Sequence, residues 1–325
     1  MSGAEPGPGH WRRVVTGHDA DGKAAFLLDE SIVTTIHADA TRSGPVLILS
    51  EWPASADAGE PGPRPVAPSA GGIRVITLEL PAGSGWISRS AHDQPATLDA
   101  YIVVAGELVV GLDDGETSLD RGDVLISRGQ PHHVRAGGEG GARLVVAAIT
   151  PDPTVTGQEP TDLGGQRGRP KRVRRVVVGT DAQGATLVAH DGDPAISFFI
   201  GEEDDPFVAL ADVWETGGPV AAVDQGGDAE PPYELEPRAH GLKVLSLEMM
   251  PTDTGPGSGD EGWHATDTID VDVVIDGAVE LYLPDLPPVA LSAGDILVQR
   301  ATKHRWRALG DRHLRMITIM IAVRS

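Results

Sequence analysis

The chain has 325 residues, a formal net charge of −22 and no cysteine. Such a charge repels phosphate, which argues against nucleic acid and anionic membranes as partners, and the missing cysteine excludes disulfides, thiolate nucleophiles and sulfur-ligated metals. No apolar run reaches the roughly 18 residues of a membrane span, and the Gly/Pro-rich opening lacks the basic and apolar regions of a signal peptide, so a cytoplasmic protein is expected.

Read from the N-terminus, the first informative segment is Arg12-Arg13-Val14-Val15, which leads through Gly17 and Asp19 to Gly22. It returns 162 positions later as Arg174-Arg175-Val176-Val177, leading through Gly179 and Asp181 to Gly184. Short β-branched runs follow at Val46 to Leu49, Arg74 to Leu80, Tyr101 to Val104, Glu107 to Leu112 and Leu144 to Ile149. The second half has matching runs at Phe207 to Val213, Lys243 to Met249, Val271 to Ile275, Val279 to Leu283 and Leu314 to Val323. Strand-length runs broken by Gly/Asp turns predict an all-β sandwich or barrel, and no long 3.6-residue period competes.

A period near half the chain length indicates duplication of a whole domain. The expected organisation is an N-terminal domain over 1–150, a Pro/Gly-rich linker over 151–171 and a C-terminal domain over 172–325. The basic run Arg167 to Arg175 reads as a solvated linker rather than a docking site. Ala54 to Gly71 and Gly217 to Pro237 are expected to be mobile surface loops. The preference for Arg over Lys, with abundant Ala, Gly and Pro, suggests a high-GC bacterial source.

Three features of the second half fall in a fixed order. His264-Ala265-Thr266 precedes Asp270, and six residues separate Asp270 from Gly277. Gly294-Asp295 then opens a strand that runs through Gln299 and Arg300 toward His304. The first half repeats the Asp-(X)6-Gly spacing (Asp99 to Gly106) and the Gly122-Asp123 turn. This order resembles the cupin family, and it does so in both halves, as in a bicupin. The resemblance implies two tandem cupin-type β-barrels, each a double-stranded β-helix or jelly roll.

In cupins two His and a Glu of the first motif, with a His of the second, hold a divalent metal. Carried over, the resemblance places His264, Asp270 and His304 as metal ligands or catalytic groups. Thr266 stands where the second His would be, and Asp270 replaces the longer Glu. Iron, manganese, nickel or zinc would suit two His and a carboxylate, and a site with no metal stays equally open. Thr266, Gln299, Trp263 and Arg300 are the candidate substrate-binding residues. The N-terminal counterparts His92, Asp99 and His132 read as degenerate. His132 matches His304 in register, whereas His133 sits at the usual family spacing.

Structural readings stand beside these. His264 and His304 could be hydrogen-bonded partners lining a pocket, and Asp270 could anchor its strand through Thr268 or a backbone N–H. Trp86 and Trp263 could stack on substrate or pack in the core. Arg300 and Arg307, matched by Arg128 and Arg135, could meet an acidic substrate or form inter-strand salt bridges. Asp123 and Asp295 read as turn residues.

Fold alone does not determine function. The expectation is an enzyme acting on a small organic molecule, such as a natural-product intermediate, in the C-terminal barrel. Metal-assisted or His-based acid–base chemistry would serve cyclisation, dehydration, isomerisation or oxygenation. The alternative is a non-catalytic binding or sensing bicupin. Edge-strand pairing, common in cupins, also allows a homodimer.

Overall fold

The computed structural model of the protein describes residues 10–49, 70–89, 97–155, 173–202, 205–222, 224–229, 233–251 and 262–323. These residues form strands and turns and contain no helix. In the first half the strands are β1 (Arg12–His18), β2 (Ala24–Ser31), β3 (Thr35–Ile36), β4 (Arg42–Leu49), β5 (Ile73–Leu80), β6 (Ile87–Arg89), β7 (Leu98–Leu112), β8 (Gly115–Leu119), β9 (Val124–Arg128) and β10 (His132–Ile149). The second half opens with β11 (Arg175–Thr180), β12 (Thr186–Gly192), β13 (Ile196–Glu202), β14 (Asp205–Glu215) and β15 (Leu242–Met249). It closes with β16 (Thr268–Asp276), β17 (Ala278–Tyr282), β18 (Val289–Ser292), β19 (Ile296–Arg300), β20 (Arg305–Leu309) and β21 (Leu314–Ala322).

Each half builds a jelly-roll barrel, as expected from the strand-length runs, the Gly/Asp turns and the resemblance they carry. One sheet has the order β13-β14-β15-β21-β16-β19-β1-β2, and the other the order β12-β11-β9-β7-β10-β5-β4-β3. A three-stranded sheet, β18-β17-β20, covers the C-terminal barrel. In the N-terminal barrel the long strands β7 and β10 bend over to do the same, with β8 and β6 along them. The bends require glycine. Gly106 has φ +73°, and a Cβ there would lie 2.0 Å from the Gly141 carbonyl oxygen. Its twin Gly277 has φ +76°, and a Cβ would lie 2.8 Å from the His313 oxygen.

The sheets do not follow the halves of the sequence. β1 pairs in parallel with β19, placing Val14 opposite Leu297. Reciprocally, β11 pairs in parallel with β9, placing Val176 opposite Leu125. The repeated Arg-Arg-Val-Val segment is therefore the strand that each half lends to the other. Arg12 clasps this exchange, bonding Asp29 of its own hairpin (2.7 Å) and Asp295 of the other half (3.2 Å). Arg174 repeats the arrangement with Asp191 (2.6 Å) and Asp123 (3.6 Å). The Gly-Asp aspartates keep their turn role as well, since Asp123 accepts from the Asp120 N–H and Asp295 from that of Ser292.

The two large sheets pack face to face. Alternate residues such as Ile102, Val145 and Val177 of one meet Val271, Val298 and Ile319 of the other in a single core. The opposite face of each sheet looks into its own barrel. Between the sheets Arg13 donates to the Val46 carbonyl (2.7 Å) and Arg175 to that of Val213 (3.0 Å). Arg175 is fully buried and is neutralised by Asp228 at 2.6 Å.

That last contact corrects one expectation. The segment Gly217 to Pro237 has no strand among its described residues, but 225–229 are buried rather than a mobile surface loop. Gln225 bonds the Thr216 and Pro219 carbonyls and the Ala221 N–H, and Asp228 is needed against Arg175. The matching loop over 54–69, the linker over 156–171 and His92 lie outside the described residues. No helix among the described residues is long and apolar enough to cross a membrane.

Candidate functional site in the C-terminal barrel

Strand alternation decides which residues enter the barrel. On β16, Ile269, Val271 and Val273 belong to the core between the sheets. Thr268, Asp270, Asp272 and Val274 therefore face the barrel, and Val274 packs there with Leu297 and Met316. On β19 the same rule turns Leu297 and Gln299 inward and sends Arg300 with Val298 toward the inter-sheet core. Arg300 is buried on that opposite face and does not share the barrel interior with Gln299.

His264 and His304 are brought side by side. Each donates its backbone N–H to the other's carbonyl, at 3.0 and 2.9 Å. The rings lie 4.3 Å apart between centroids, inclined at 57°. His304 is buried, whereas His264 is exposed at the barrel mouth with Nδ1 3.0 Å from the Gly262 carbonyl. Trp306 meets His304 edge-on at 5.6 Å.

Nδ1 of His304 lies 2.8 Å from the Thr302 carbonyl, which only accepts. The Gln299 amide nitrogen lies 2.6 Å from the same ring nitrogen and donates to the Thr302 carbonyl at 3.0 Å, so Nδ1 is held between an acceptor and a donor. Thr16 completes the anchor, with its hydroxyl 2.5 Å from the Gln299 amide and 3.0 Å from the Thr302 hydroxyl. Nε2 makes no hydrogen bond among the described residues. Burial, with His264 nearby, pulls the His304 pKa down to about 4, so the ring is neutral at physiological pH.

Asp270 receives a hydrogen bond on Oδ2 from Thr266 (3.3 Å), and Thr268 in turn bonds Thr266 (2.7 Å). Its Oδ1 is buried and has no partner among the described residues. Asp272, two residues on along the same face, accepts from Thr318 (2.6 Å). Burial and mutual repulsion push Asp270 well above the usual carboxylate range, and burial raises Asp272 to about 6. Asp212 on β14 is likewise raised to about 6 by burial, although Lys243 stands 3.3 Å away.

The expected ligand set does not converge. No group of three His or carboxylate side chains among the described residues is arranged to hold a metal ion. With His304 Nδ1 on Thr302 and Gln299 and Asp270 Oδ2 on Thr266, His304 Nε2 and Asp270 Oδ1 stay open, but no three donors come together around one point among the described residues. The three residues do not fit a shared metal in this arrangement.

Trp263 stacks under Arg305 (4.7 Å from the ring centroid) with Lys303 at 5.9 Å. Its twin Trp86 is not in the core: it is 44% exposed, with Arg135 over its ring at 4.7 Å. Arg307 and Arg135 form cross-strand pairs with Glu280 (3.6 Å) and Glu116 (3.1 Å).

In the N-terminal barrel it is His132 that turns inward. It is buried beside Tyr101 (3.2 Å from its hydroxyl) and Ser127 (3.4 Å), with Nδ1 on the Gln130 carbonyl (2.9 Å). His133 is exposed and meets Trp86 edge-on. Asp99 is buried on the face it shares with Tyr101. Two site residues escaped the sequence reading, Thr16 and Asp272. The alternation Ile269-Asp270-Val271-Asp272-Val273 carries the signal for Asp272, since it places both aspartates on one face.

No protein-family model matches the chain. A 55-residue segment is 44% identical to phomopsin biosynthesis cluster protein C' of Diaporthe leptostromiformis, covering 17% of this chain and 29% of that protein. A 79-residue segment is 34% identical to a cupin-domain-containing oxidoreductase, srdD, of Neurospora crassa, covering 24% of this chain and 39% of that one. The chain thus spans well under half the length of these fungal relatives. Among solved structures, a putative glyoxylate-induced protein from Pseudomonas aeruginosa aligns over 95% of this chain and 94% of its own, with TM-score 0.50 and 13% identity. A cupin 2 conserved barrel domain protein from Leptotrichia buccalis aligns over 89% and 92%, with TM-score 0.45 and 11% identity.

Proposed function

We propose that the chain is a cupin, a reading that its barrel fold and its short match to a cupin-domain oxidoreductase support, and that its C-terminal barrel is an acid–base site for a small organic molecule. The observation that carries the reading is His304, a buried neutral imidazole with Nδ1 fixed and Nε2 unengaged. In the tautomer whose Nδ1 donates to the Thr302 carbonyl, this base accepts a proton at Nε2 from a carbon or hydroxyl next to a carbonyl. The imidazolium so formed can return the proton to another carbon or oxygen of the same molecule. His264 closes the mouth beside His304 and limits the entry of water.

Isomerisation, dehydration and cyclisation are the reactions such a base serves, because each moves a proton without a net redox change. Likeness to a segment of two biosynthesis-cluster proteins supports a natural-product intermediate as substrate. The N-terminal barrel is assigned a structural role: it lends β1, and with it Thr16, to the active barrel.

Incubation of the full chain in D₂O with a panel of small ketones and β-keto acids, read by mass spectrometry, tests this. Exchange of the proton next to the carbonyl is expected to fall by about 10²-fold or more in His304→Ala and to persist in His132→Ala. Ligand binding without exchange in any compound would favour the non-catalytic binding reading. Exchange that depends on His132 would move the site to the other barrel.

A further inference from the structure

The C-terminal barrel contains negative charge that folding does not require. Across neighbouring strands Asp212 stands opposite Leu245, Leu245 opposite Thr318, Thr318 opposite Asp272, and Asp272 opposite Leu297. The same rung of the N-terminal barrel runs Ile76, Val146, Tyr101 and Leu125, and all four belong to that barrel's apolar core. One fold therefore closes equally well on an apolar rung. Replacing Tyr101 by Asp272 and Val146 by Thr318 lowers the fitness of the core, and such a change signals a ligand.

The charges facing this region do not balance. Lys243 is committed to Asp212 (3.3 Å), Glu215 (3.6 Å) and the Glu234 carbonyl (2.6 Å). Asp270 and Asp272 are 6% and 5% exposed, and neither has an ion pair among the described residues. Their neighbours add to the deficit, since Glu236 is a further negative charge near Asp270. Asp270 is met by the Thr266 and Thr268 hydroxyls and Asp272 by that of Thr318, and Oδ1 of Asp270 is buried with no hydrogen bond among the described residues. A dry pair of carboxylates with one unanswered oxygen lacks a cation.

We propose that the ligand of this barrel carries a protonated amino group that Asp270 and Asp272 receive. The proposal rests on the reading that the C-terminal barrel is the site, and it adds the substrate class, an amine-bearing small molecule. An ammonium group fits where a metal does not. It donates three hydrogen bonds to carboxylate oxygens and needs no converging imidazoles. With the amine held here, His304 faces the reacting part of the same molecule.

Thermal unfolding of the full chain with benzylammonium, benzyl alcohol, benzoate or Mn²⁺ as separate probes tests the proposal. A saturable rise in the midpoint is expected with benzylammonium, with apparent affinity about tenfold or more above that for benzyl alcohol. Asp270→Asn and Asp272→Asn should each weaken it by about tenfold or more, whereas Asp99→Asn leaves it intact. Two variants are used so that one failing to fold does not end the test. A shift that survives both substitutions overturns the proposal, as does one given by Mn²⁺ alone. A benzyl alcohol or benzoate shift that exceeds that of benzylammonium and vanishes in His304→Ala also overturns it, while leaving the barrel as the ligand site. No shift from any probe overturns it too.

Discussion

The hydroxyl of Thr16 lies 2.5 Å from the amide of Gln299, a residue 283 positions away in the other half of the chain. Gln299 in turn fixes Nδ1 of His304, so a strand lent by the N-terminal half holds the base of the C-terminal barrel. At the equivalent place in the other barrel β11 presents Val178, an apolar core residue. Thr16→Val, which copies that twin, should cost about 1–2 kcal/mol by stranding the amide and the Thr302 hydroxyl. The larger effect should fall on function, with loss of proton exchange beyond what urea denaturation of the variant accounts for.

The two arginines of the exchanged strand should behave differently when removed. Arg12 keeps 28% of its side chain exposed and its partner Asp29 keeps 49%, so Arg12→Ala should cost no more than about 1 kcal/mol. Arg175 is wholly buried against Asp228, and Arg175→Ala strands that carboxylate. A loss of about 3–5 kcal/mol is expected in chemical denaturation. Equal costs for the two would contradict the exchange as described.

Asp272 gives a pH signature of defined sign. Its folded pKa is raised to about 6 from an ordinary value of 3.8, so the folded state holds the proton longer than the unfolded state. Stability from this group is present below pH 3.8 and is lost as pH rises through about 6. Asp272→Asn removes the ionised form while preserving an acceptor for Thr318. The variant should be more stable than the parent by about 2–3 kcal/mol at pH 8, with the gain fading toward pH 4. Urea midpoints across that range are the check, and a variant less stable at pH 8 would reverse the sign.

Much of the fold was legible from residues with local work to do. The Gly-Asp turns, the glycines at the strand bends and the short β-branched runs of β5, β16 and β21 each declare a conformation within a few positions. The exchange of β1 and β11 was not legible, because the pairing of Val14 with Leu297 depends on a partner at the far end of the chain. His264 and His304 were legible as a pair through the motif they share. That motif could not reveal that their rings meet at a tilt without a third donor joining them, since this depends on how Thr302, Thr266 and Gln299 hold His304 and Asp270. Thr16 stayed hidden for the same reason as its strand. Asp272 was overlooked, although its spacing from Asp270 places both carboxylates on one face.

The ionisation of His304 tests the central claim most directly. In the full chain carrying ¹⁵N-labelled histidine, its ring nitrogens should titrate near pH 4 and show a proton on Nδ1 and a lone pair on Nε2 at neutral pH. Burial lowers this pKa, so folding is opposed as pH falls from the ordinary value of 6.5 toward 4, and the resonance should keep its neutral form through that window. A ring that titrates at 6.5 or above, or that carries its proton on Nε2, would contradict His304 as the base of this barrel.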